Sequence, residues 1–426
     1  MKLTELHIQQ AWQHRLYRLD NLTSSDGKLI EVIHPGYLHH DAGPDFFQAR
    51  IRIDGTLWVG NVEIHHRSSE WYSHGHDKQA SYDNVILHVV LEEDRKVFRR
   101  TGGEIPCLEL VLLSEFTEKL EEWESCKQWL RCDVMAGEIP MLHYHFILQR
   151  LAVDRLERKA DEMKSLLQWS LNDWRHVFYY LLARSFGFRI NSDPMEQLAR
   201  SIPLTILSKE RDGIDRLEAL YFGQSGLLPE KSRDPWVSRL ISEYQFLKNK
   251  YGLIPLDRGI WKFMRTRPTN FPTIRIAQFV SLIAQSTHLL SQTVEKENIQ
   301  EVVALFDVTP SEYWHTHYQF KGSSTFKKKR LSKTAIYNII INTIIPFLMV
   351  YGEKLNREDW KEKGLHWLQT IPYEKNYITK MWQQRGFKLV HAMDSQALIA
   401  LHHQYCMRDK CLECDIGHVL LNNLKH

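Results

Sequence analysis

The sequence lacks several features that would place it at once in a simple class of protein. Its 55 Lys and Arg nearly balance its 52 Asp and Glu, so the net charge of +3 gives no overall basic or acidic character. The N-terminal residues contain no long apolar core, which argues against a secretory signal peptide. The most apolar run, 336–351, is broken by Asn and Pro and falls short of the roughly 20 apolar residues of a membrane span. We therefore expect a cytoplasmic protein without a membrane segment.

Cysteine is also scarce, with six in 426 residues. Without a secretory signal, we expect free thiols or metal ligands rather than disulfides. Cys406, Cys411 and Cys414 follow the spacing Cys-x4-Cys-x2-Cys, which indicates a possible second metal site for zinc or an iron–sulfur cluster. The candidates for a fourth ligand are His402, His403, His418, Cys126 and Cys132. The alternative is a set of buried thiols packed along a helix.

Hydropathy patterning divides the chain near residue 114. Residues 47–53 alternate apolar and polar side chains as a half-buried strand does, Asp54-Gly55 predicts a hairpin turn, and 57–65 is the return strand. Residues 84–91 are apolar almost throughout, as in a strand covered on both faces, and 74–83 predicts a short helix.

Beyond residue 114 the periodicity is helical almost to the end of the chain. We therefore predict an α/β N-terminal domain over 1–114, a mixed sheet flanked by helices. An all-α region follows over 115–426, possibly divisible near 225–235.

Three side chains at the predicted hairpin carry chemistry. Asp45 precedes the first strand, and Glu63 and His65 lie two apart on the second, so both point to one face. A hairpin brings the start of one strand near the end of the other. Two converging carboxylates repel each other unless a cation or proton lies between them. Oxygen ligands of this kind favour Mg²⁺ or Mn²⁺, and His65 could orient or deprotonate a water molecule.

The order helix, strand, Pro44-Asp45, hairpin, Glu63-x-His65 resembles the core of the PD-(D/E)XK nucleases. That resemblance covers about 110 residues and implies a restriction-endonuclease-like fold. It also implies that Asp45 and Glu63 are metal ligands, joined by the carbonyl oxygen of Ile64 and by Glu5 of the first helix.

The motif departs from the nuclease pattern at one position, where His65 replaces the usual lysine. Lys78 is the nearest lysine that could take over its role, and otherwise His65 must do so or catalysis is lost. The chain as a whole also resembles a bacterial family defined only as a domain of unknown function, which implies no activity.

A histidine-based zinc site competes with this interpretation. Five histidines fall within 24 residues: His65, His66, His74, His76 and His88. Zinc takes three or four N, S or O ligands. The simpler interpretation is that His74 and His76 are solvated loop residues.

Basic residues could contact a nucleic acid in two places. One set adjoins the predicted site and the other forms a basic loop after residue 322: Arg50, Arg52 and Arg67; Lys327, Lys328, Lys329 and Arg330. Phosphate neutralisation dominates nucleic-acid affinity, so a nearly neutral chain needs such local clusters.

Three functions follow from these patterns. The first is a metal-dependent phosphodiesterase acting on DNA or RNA. The second is a non-catalytic nucleic-acid- or protein-binding module on a nuclease-like core. The third is a zinc-dependent hydrolase of a small substrate.

Overall fold

The computed structural model describes residues 3–39, 42–169, 173–211, 213–286 and 288–424. It confirms the predicted fold class, a mixed sheet with flanking helices followed by a largely helical region. The strands are β1 (Ile30–His34), β2 (Tyr37–Leu38), β3 (Phe46–Ile53), β4 (Thr56–Ile64), β5 (Val85–Val90) and β6 (Cys107–Glu109). The helices are α1 (Glu5–His14), α2 (Glu70–Ser73), α3 (Ser114–Ser125), α4 (Met141–Trp169), α5 (Trp174–Phe186), α6 (Ser192–Arg200), α7 (Leu204–Lys209), α8 (Ile214–Gln224), α9 (Pro235–Tyr251), α10 (Pro272–Gln285), α11 (Leu289–Glu295), α12 (Ile299–Leu305), α13 (Tyr313–Thr316), α14 (Lys333–Ile339), α15 (Ile345–Lys354), α16 (Glu358–Thr370), α17 (Tyr377–Gln384), α18 (Ala392–Gln404) and α19 (Asp415–Asn423).

The sheet has the strand order β1-β3-β4-β5-β6, with β2 paired to β3 outside this path. The β1–β3 and β3–β4 pairs are antiparallel, whereas β4–β5 and β5–β6 are parallel. All six residues of β5 are buried, as the apolar run at 84–91 predicts. The central position of β4 therefore places the end of the hairpin beside the buried strand β5.

A β-bulge interrupts β3 close to its start. Phe46 pairs with Val62 and Ala49 pairs with Gly60, so β3 uses one residue more than β4 between these positions. Gln48 within the bulge has φ 57°, in the left-handed region. Phe46 is consequently buried with Val62 in the core, and Phe47, which the alternation places inside, is only half-buried.

A larger apolar cluster joins the sheet to α1 through Ile8 and Trp12, and a smaller one surrounds Trp71 and Tyr82. Between β4 and β5 the packing is close: a Cβ on Gly60 would lie 2.4 Å from Cγ2 of Ile86. Residues 74–83 do not form the predicted helix. They fold into two 3-10 turns, His76–Lys78 and Ala80–Tyr82, because Gly75 takes a left-handed φ of 74° that ends helix α2.

The chain divides into two compact units. Unit 1 comprises residues 1–147, 380–388 and 398–426, and unit 2 comprises 148–379 and 389–397. The first unit thus extends beyond the predicted boundary at 114. It also includes two C-terminal segments, which the helical pattern of the sequence does not distinguish from unit 2.

Within unit 2, residues 333–354 form one continuous helical stretch of 22 residues. It contains α14, a π-helical segment over Ile340–Ile344 and α15. By length and composition the stretch is apolar enough to cross a membrane, but 72% of its most apolar window is buried inside the protein, as in the core helix of a soluble protein.

Candidate metal centre

The hairpin and the segment that follows it bring the predicted carboxylates and several histidines together in unit 1. Asp45 lies one residue before β3, Glu63 lies near the end of β4, and His65 follows that strand directly. Because Phe46 and Val62 both face the core, the alternation of side chains places Asp45 and Glu63 on the opposite face.

Hydrogen bonds hold the two carboxylates side by side. The backbone N–H of Asp45 donates to Oε2 of Glu63 over 3.1 Å, and the backbone N–H of Ile64 donates to Oδ2 of Asp45 over 3.0 Å. The second oxygen of Asp45, Oδ1, accepts a hydrogen bond of 2.8 Å from Nε2 of Gln9 on α1. The orientation of Asp45 is therefore fixed from two sides.

This arrangement disfavours two negative charges. Burial, followed by the charge of Glu63, raises the pKa of Asp45 to about 7. Burial raises the pKa of Glu63 to about 8, with Glu5 adding a further repulsion. Two carboxyls that hold protons near neutral pH are groups that a divalent cation would stabilise in their charged form.

A chain of imidazoles surrounds Glu63. Nδ1 of His65 lies 2.8 Å from Nε2 of His88, and Nε2 of His65 lies 3.1 Å from Nδ1 of His74. Ligand atoms of His65, His74 and His76 all lie within 4.8 Å of one another. Three nitrogen donors at this spacing could bind one metal ion.

Glu63 lies beside two members of this histidine trio. Its Oε1 lies 3.2 Å from Nε2 of His76 and 3.6 Å from Nε2 of His65. His76 stacks on the ring of Tyr82 with 3.8 Å between centroids, which fixes its plane. One carboxylate oxygen and three imidazoles are a donor set that fits a tetrahedral or five-coordinate transition metal.

Burial keeps the inner histidines neutral. It lowers the pKa of His88 to about 3 and, together with the neighbouring imidazoles, lowers the pKa of His65 to about 2. With its proton on Nδ1, His65 donates to His88 and presents the lone pair of Nε2 to the rest of the trio. A second-shell hydrogen bond of this kind is typical of metal-ligating histidines.

The residues of the site differ in burial. Glu63, His65 and His88 are buried at its base, whereas His74 is exposed and Asp45 half-buried. Glu5 on α1 is also half-buried, and burial raises its pKa while the nearby His74 lowers it. Glu5 therefore faces the histidines, consistent with the acidic residue expected on the first helix.

The other predicted contacts differ in their placement. Among the contacts of the residues described, none joins the exposed Lys78 to the carboxylates, so His65 alone occupies the position of the lysine. Arg50 and Arg52 lie along β3 towards the hairpin turn, where Arg52 is opposite Leu57, and not beside the carboxylates at the other end of the strand. Arg52 pairs with Glu31 at 2.5 Å, and Arg50 is exposed. Arg67, which follows β4, pairs with Glu92 at 3.1 Å.

In unit 2, the predicted basic loop is only partly available to a ligand. Lys329 is buried, and its ammonium donates to the backbone carbonyls of Trp314 and His315, so it cannot contact a nucleic acid. Arg330 pairs with Asp307. Lys327 and Lys328 remain exposed.

Two residues of the site have no signal in the sequence analysis. Gln9 contacts Asp45 from α1, and the charges of Glu63 and Asp45 help to raise the pKa of Tyr82 to about 12, behind the effect of burial. The histidines at 74 and 76 are not merely solvated loop residues, since both join the donor cluster.

A protein-family model described as "Protein of unknown function (DUF2851)" matches residues 5–377. Comparisons with curated proteins and with solved structures find no significant match. The nuclease resemblance of the motif is not supported by these comparisons.

Proposed function

This chain belongs to the DUF2851 family, whose description assigns no activity, and from the site we propose that it is a divalent-metal-dependent phosphodiesterase. One observation carries the proposal. Asp45 and Glu63 lie side by side at the end of one hairpin, beside the trio of His65, His74 and His76, and burial raises the pKa values of both carboxyls.

The donor set bears on the choice of metal. Carboxylates alone would favour Mg²⁺, but imidazole nitrogens favour Mn²⁺, Fe²⁺ or Zn²⁺. Because three imidazoles lie at ligand spacing beside Glu63, we expect Mn²⁺ or Zn²⁺ to bind more tightly than Mg²⁺.

Each residue has a distinct task in this proposal. A bound metal would polarise a phosphoryl oxygen and lower the pKa of a water molecule. Glu63, His65 and His76 would hold it from the buried base, and His88 would keep the His65 ring turned towards it. Asp45, fixed by Gln9 and by the N–H of Ile64, would complete the coordination from the accessible side. His74, exposed at the opening, would supply the third imidazole ligand of the metal.

A zinc-dependent hydrolase of a small substrate is the second candidate. The spacing of the histidine trio favours it, since three imidazoles and a carboxylate are an ordinary zinc donor set. The two candidates differ in substrate, and the same assay separates them.

We expect metal-stripped protein to cleave bis(p-nitrophenyl) phosphate and single- or double-stranded nucleic acid only after Mn²⁺ or Zn²⁺ is added. His74→Ala should lower the rate, whereas His143→Ala, a change at an exposed histidine of α4, should not. Rates measured across Mn²⁺, Zn²⁺ and Mg²⁺ give the metal preference. Cleavage of simple esters alone would favour the zinc hydrolase, and no metal-dependent cleavage of any of these substrates would refute both candidates.

If nucleic acid is the substrate, its binding should weaken with salt through local basic residues. Only Lys327 and Lys328 of the loop are exposed and lack an ion pair in the described structure. Replacing both by Ala should flatten the slope of log affinity against log salt by up to about 1.4–1.8 units, from two contacts at roughly 0.7–0.9 each. Fluorescence anisotropy over a salt series measures the slope. Lys329→Ala should instead destabilise the fold, because it leaves the buried carbonyl of Trp314 without this donor, whereas the carbonyl of His315 still accepts from the N–H of Lys327.

A further inference from the structure

Five of the six cysteines lie in two segments of unit 1 that are far apart in the sequence. Cys126 and Cys132 follow helix α3, and Cys406, Cys411 and Cys414 lie between α18 and α19. The two segments meet at an ion pair of 2.7 Å between Arg131 and Asp409. None of the five thiols is in a disulfide.

The segments that carry four of these thiols pack together: a Cβ on Gly417 would lie 3.7 Å from the ring of Trp123 on α3. Burial, with smaller contributions from the thiols of Cys411 and Cys414, raises the pKa of Cys132 to about 12. The pKa of Cys406 is likewise raised by burial and then by Cys414, Cys132 and Cys411. Cys126 lies on the side of Cys411, where it adds to the raised pKa of that thiol.

The backbone around the thiols is arranged to receive negative sulfur. Cys414 is the N-cap of α19, and the nearby N–H groups of Ile416 and Gly417 partly offset the effect of burial on the pKa of its thiol. The N–H of Val134 has the same effect on the pKa of Cys132. Gly417 also permits close packing, since a Cβ there would lie 1.9 Å from the carbonyl oxygen of Cys411.

The structure does not support packing of these thiols along one helix. Cys406 and Cys411 begin separate 3-10 turns, Cys406–Arg408 and Cys411–Glu413. Nε2 of His418 is 2.6 Å from the carbonyl oxygen of Leu412, so that ring nitrogen is already engaged. Cys132, whose thiol affects the pKa of Cys406, is the candidate for the fourth ligand that the spacing Cys-x4-Cys-x2-Cys leaves missing.

We propose that Cys132, Cys406, Cys411 and Cys414 hold a thiolate-bound metal centre that ties the C-terminal segment to the segment after α3. On binding, each thiol gives its proton to solvent and its sulfur to the metal. The shared chemistry is that of four thiolates, which suits zinc or an iron–sulfur cluster.

The spacing bears on the choice between these metals. Among the described residues, the three-ligand group within 4.8 Å is the histidine trio, and the thiols form no such group. Zn–S bonds of about 2.3 Å place two sulfurs on one zinc at most about 4.6 Å apart. Because no three of these thiols lie within 4.8 Å of one another, a cluster with several irons fits them better than a single zinc ion.

The test is metal, sulfide and absorption analysis of full-length protein purified without oxygen. Iron with an equal amount of labile sulfide and broad visible absorption supports a cluster, and stoichiometric zinc without iron supports a zinc centre. Cys132→Ala and Cys414→Ala should each lose this metal. Cys107→Ala, at the buried sixth cysteine on β6, should keep it. Preparing all three in a Glu63→Gln background removes the contribution of the histidine site.

Metal content unchanged in Cys132→Ala, or no transition metal in the oxygen-free protein, would overturn the proposal. If the variants do not fold, thiol counting of the wild type decides. We expect four thiols to be protected from an alkylating reagent until a mercurial displaces the metal. The mercurial is removed again before alkylation. Equal reactivity of those thiols before and after this treatment would contradict the proposed metal centre.

Discussion

Glu63→Gln should remove tight Mn²⁺ or Zn²⁺ binding at the histidine site and lower phosphodiesterase activity by roughly 10³-fold or more. Glu63 is the carboxylate nearest the trio, with Oε1 3.2 Å from His76. Loss of a residue that only hydrogen-bonds to a metal ligand already lowers metal affinity or activity by roughly 10–100-fold. A neutral amide is a weaker ligand than a carboxylate, and it cannot balance the charge of the metal.

The same substitution should leave the protein folded. A Gln side chain retains an oxygen that can accept the hydrogen bond from the backbone N–H of Asp45, and it removes the repulsion between two carboxylates. Glu109→Gln, on the exposed side of β6, is the matched control and should bind metal as the wild type does. Isothermal titration of stripped protein measures the affinity, and wild-type affinity in Glu63→Gln would refute the assignment of the ligand.

In the absence of metal, the stability of the sheet should depend on pH because of the same carboxyl pair. The folded-state pKa values of Asp45 and Glu63, about 7 and about 8, lie above their ordinary values. Above the ordinary values the unfolded chain has lost these protons while the folded chain keeps them, so stability falls as pH rises through the folded pKa values. Raising the pH from about 6.5 to about 8.5 should therefore cost the metal-free wild type about 2 kcal/mol relative to Glu63→Gln.

The comparison of the two proteins isolates this pair. His65 and His88 have lowered pKa values and reduce stability only as pH falls below their ordinary range, and they are common to both proteins. Hydrogen exchange of the amides in β4 and β5 gives the local opening free energy at each pH. Adding metal at about 100 times its Kd should raise the opening free energy of the wild type by about 2.7 kcal/mol and leave that of Glu63→Gln unchanged. If the opening free energies of the two metal-free proteins changed with pH in the same way, the assignment of the pH dependence to the Asp45–Glu63 pair would be contradicted.

Much of the N-terminal fold is predictable because its signals are local. Alternation at 47–53, the Asp54-Gly55 turn and the apolar run at 84–91 each reflect contacts within one hairpin or one strand. The turn and the buried strand are observed, and the alternation is observed from Ala49 onwards but not at Phe47. Thr4, a residue type that favours this position, is the N-cap of α1. The hairpin brings Asp45 and Glu63 to the same end of the sheet, but their position on one face depends on the bulge at Gln48.

The remaining features depend on contacts between distant parts of the chain. The charge run at 327–330 predicts a solvated loop, but Lys329 turns inward and donates to the carbonyls of Trp314 and His315. Nothing in the spacing of the C-terminal cysteines indicates that Cys132 lies beside them. Likewise, Gln9 contacts Asp45 across 36 positions of sequence.

The extra residue in β3 also determines how the chain tolerates changes of length. In a regular strand, Asp45 would share a face with Ala49, Ile51 and Ile53, and its carboxylate would enter the apolar core. The bulge at Gln48 reverses that phase, so the deletion of this one codon would turn Asp45 away from Glu63 without altering any ligand. An insertion in the same place would be equally harmful, whereas the exposed Asp54-Gly55 turn could absorb one. The site therefore depends on the number of residues between Asp45 and the hairpin turn as well as on the identity of its side chains.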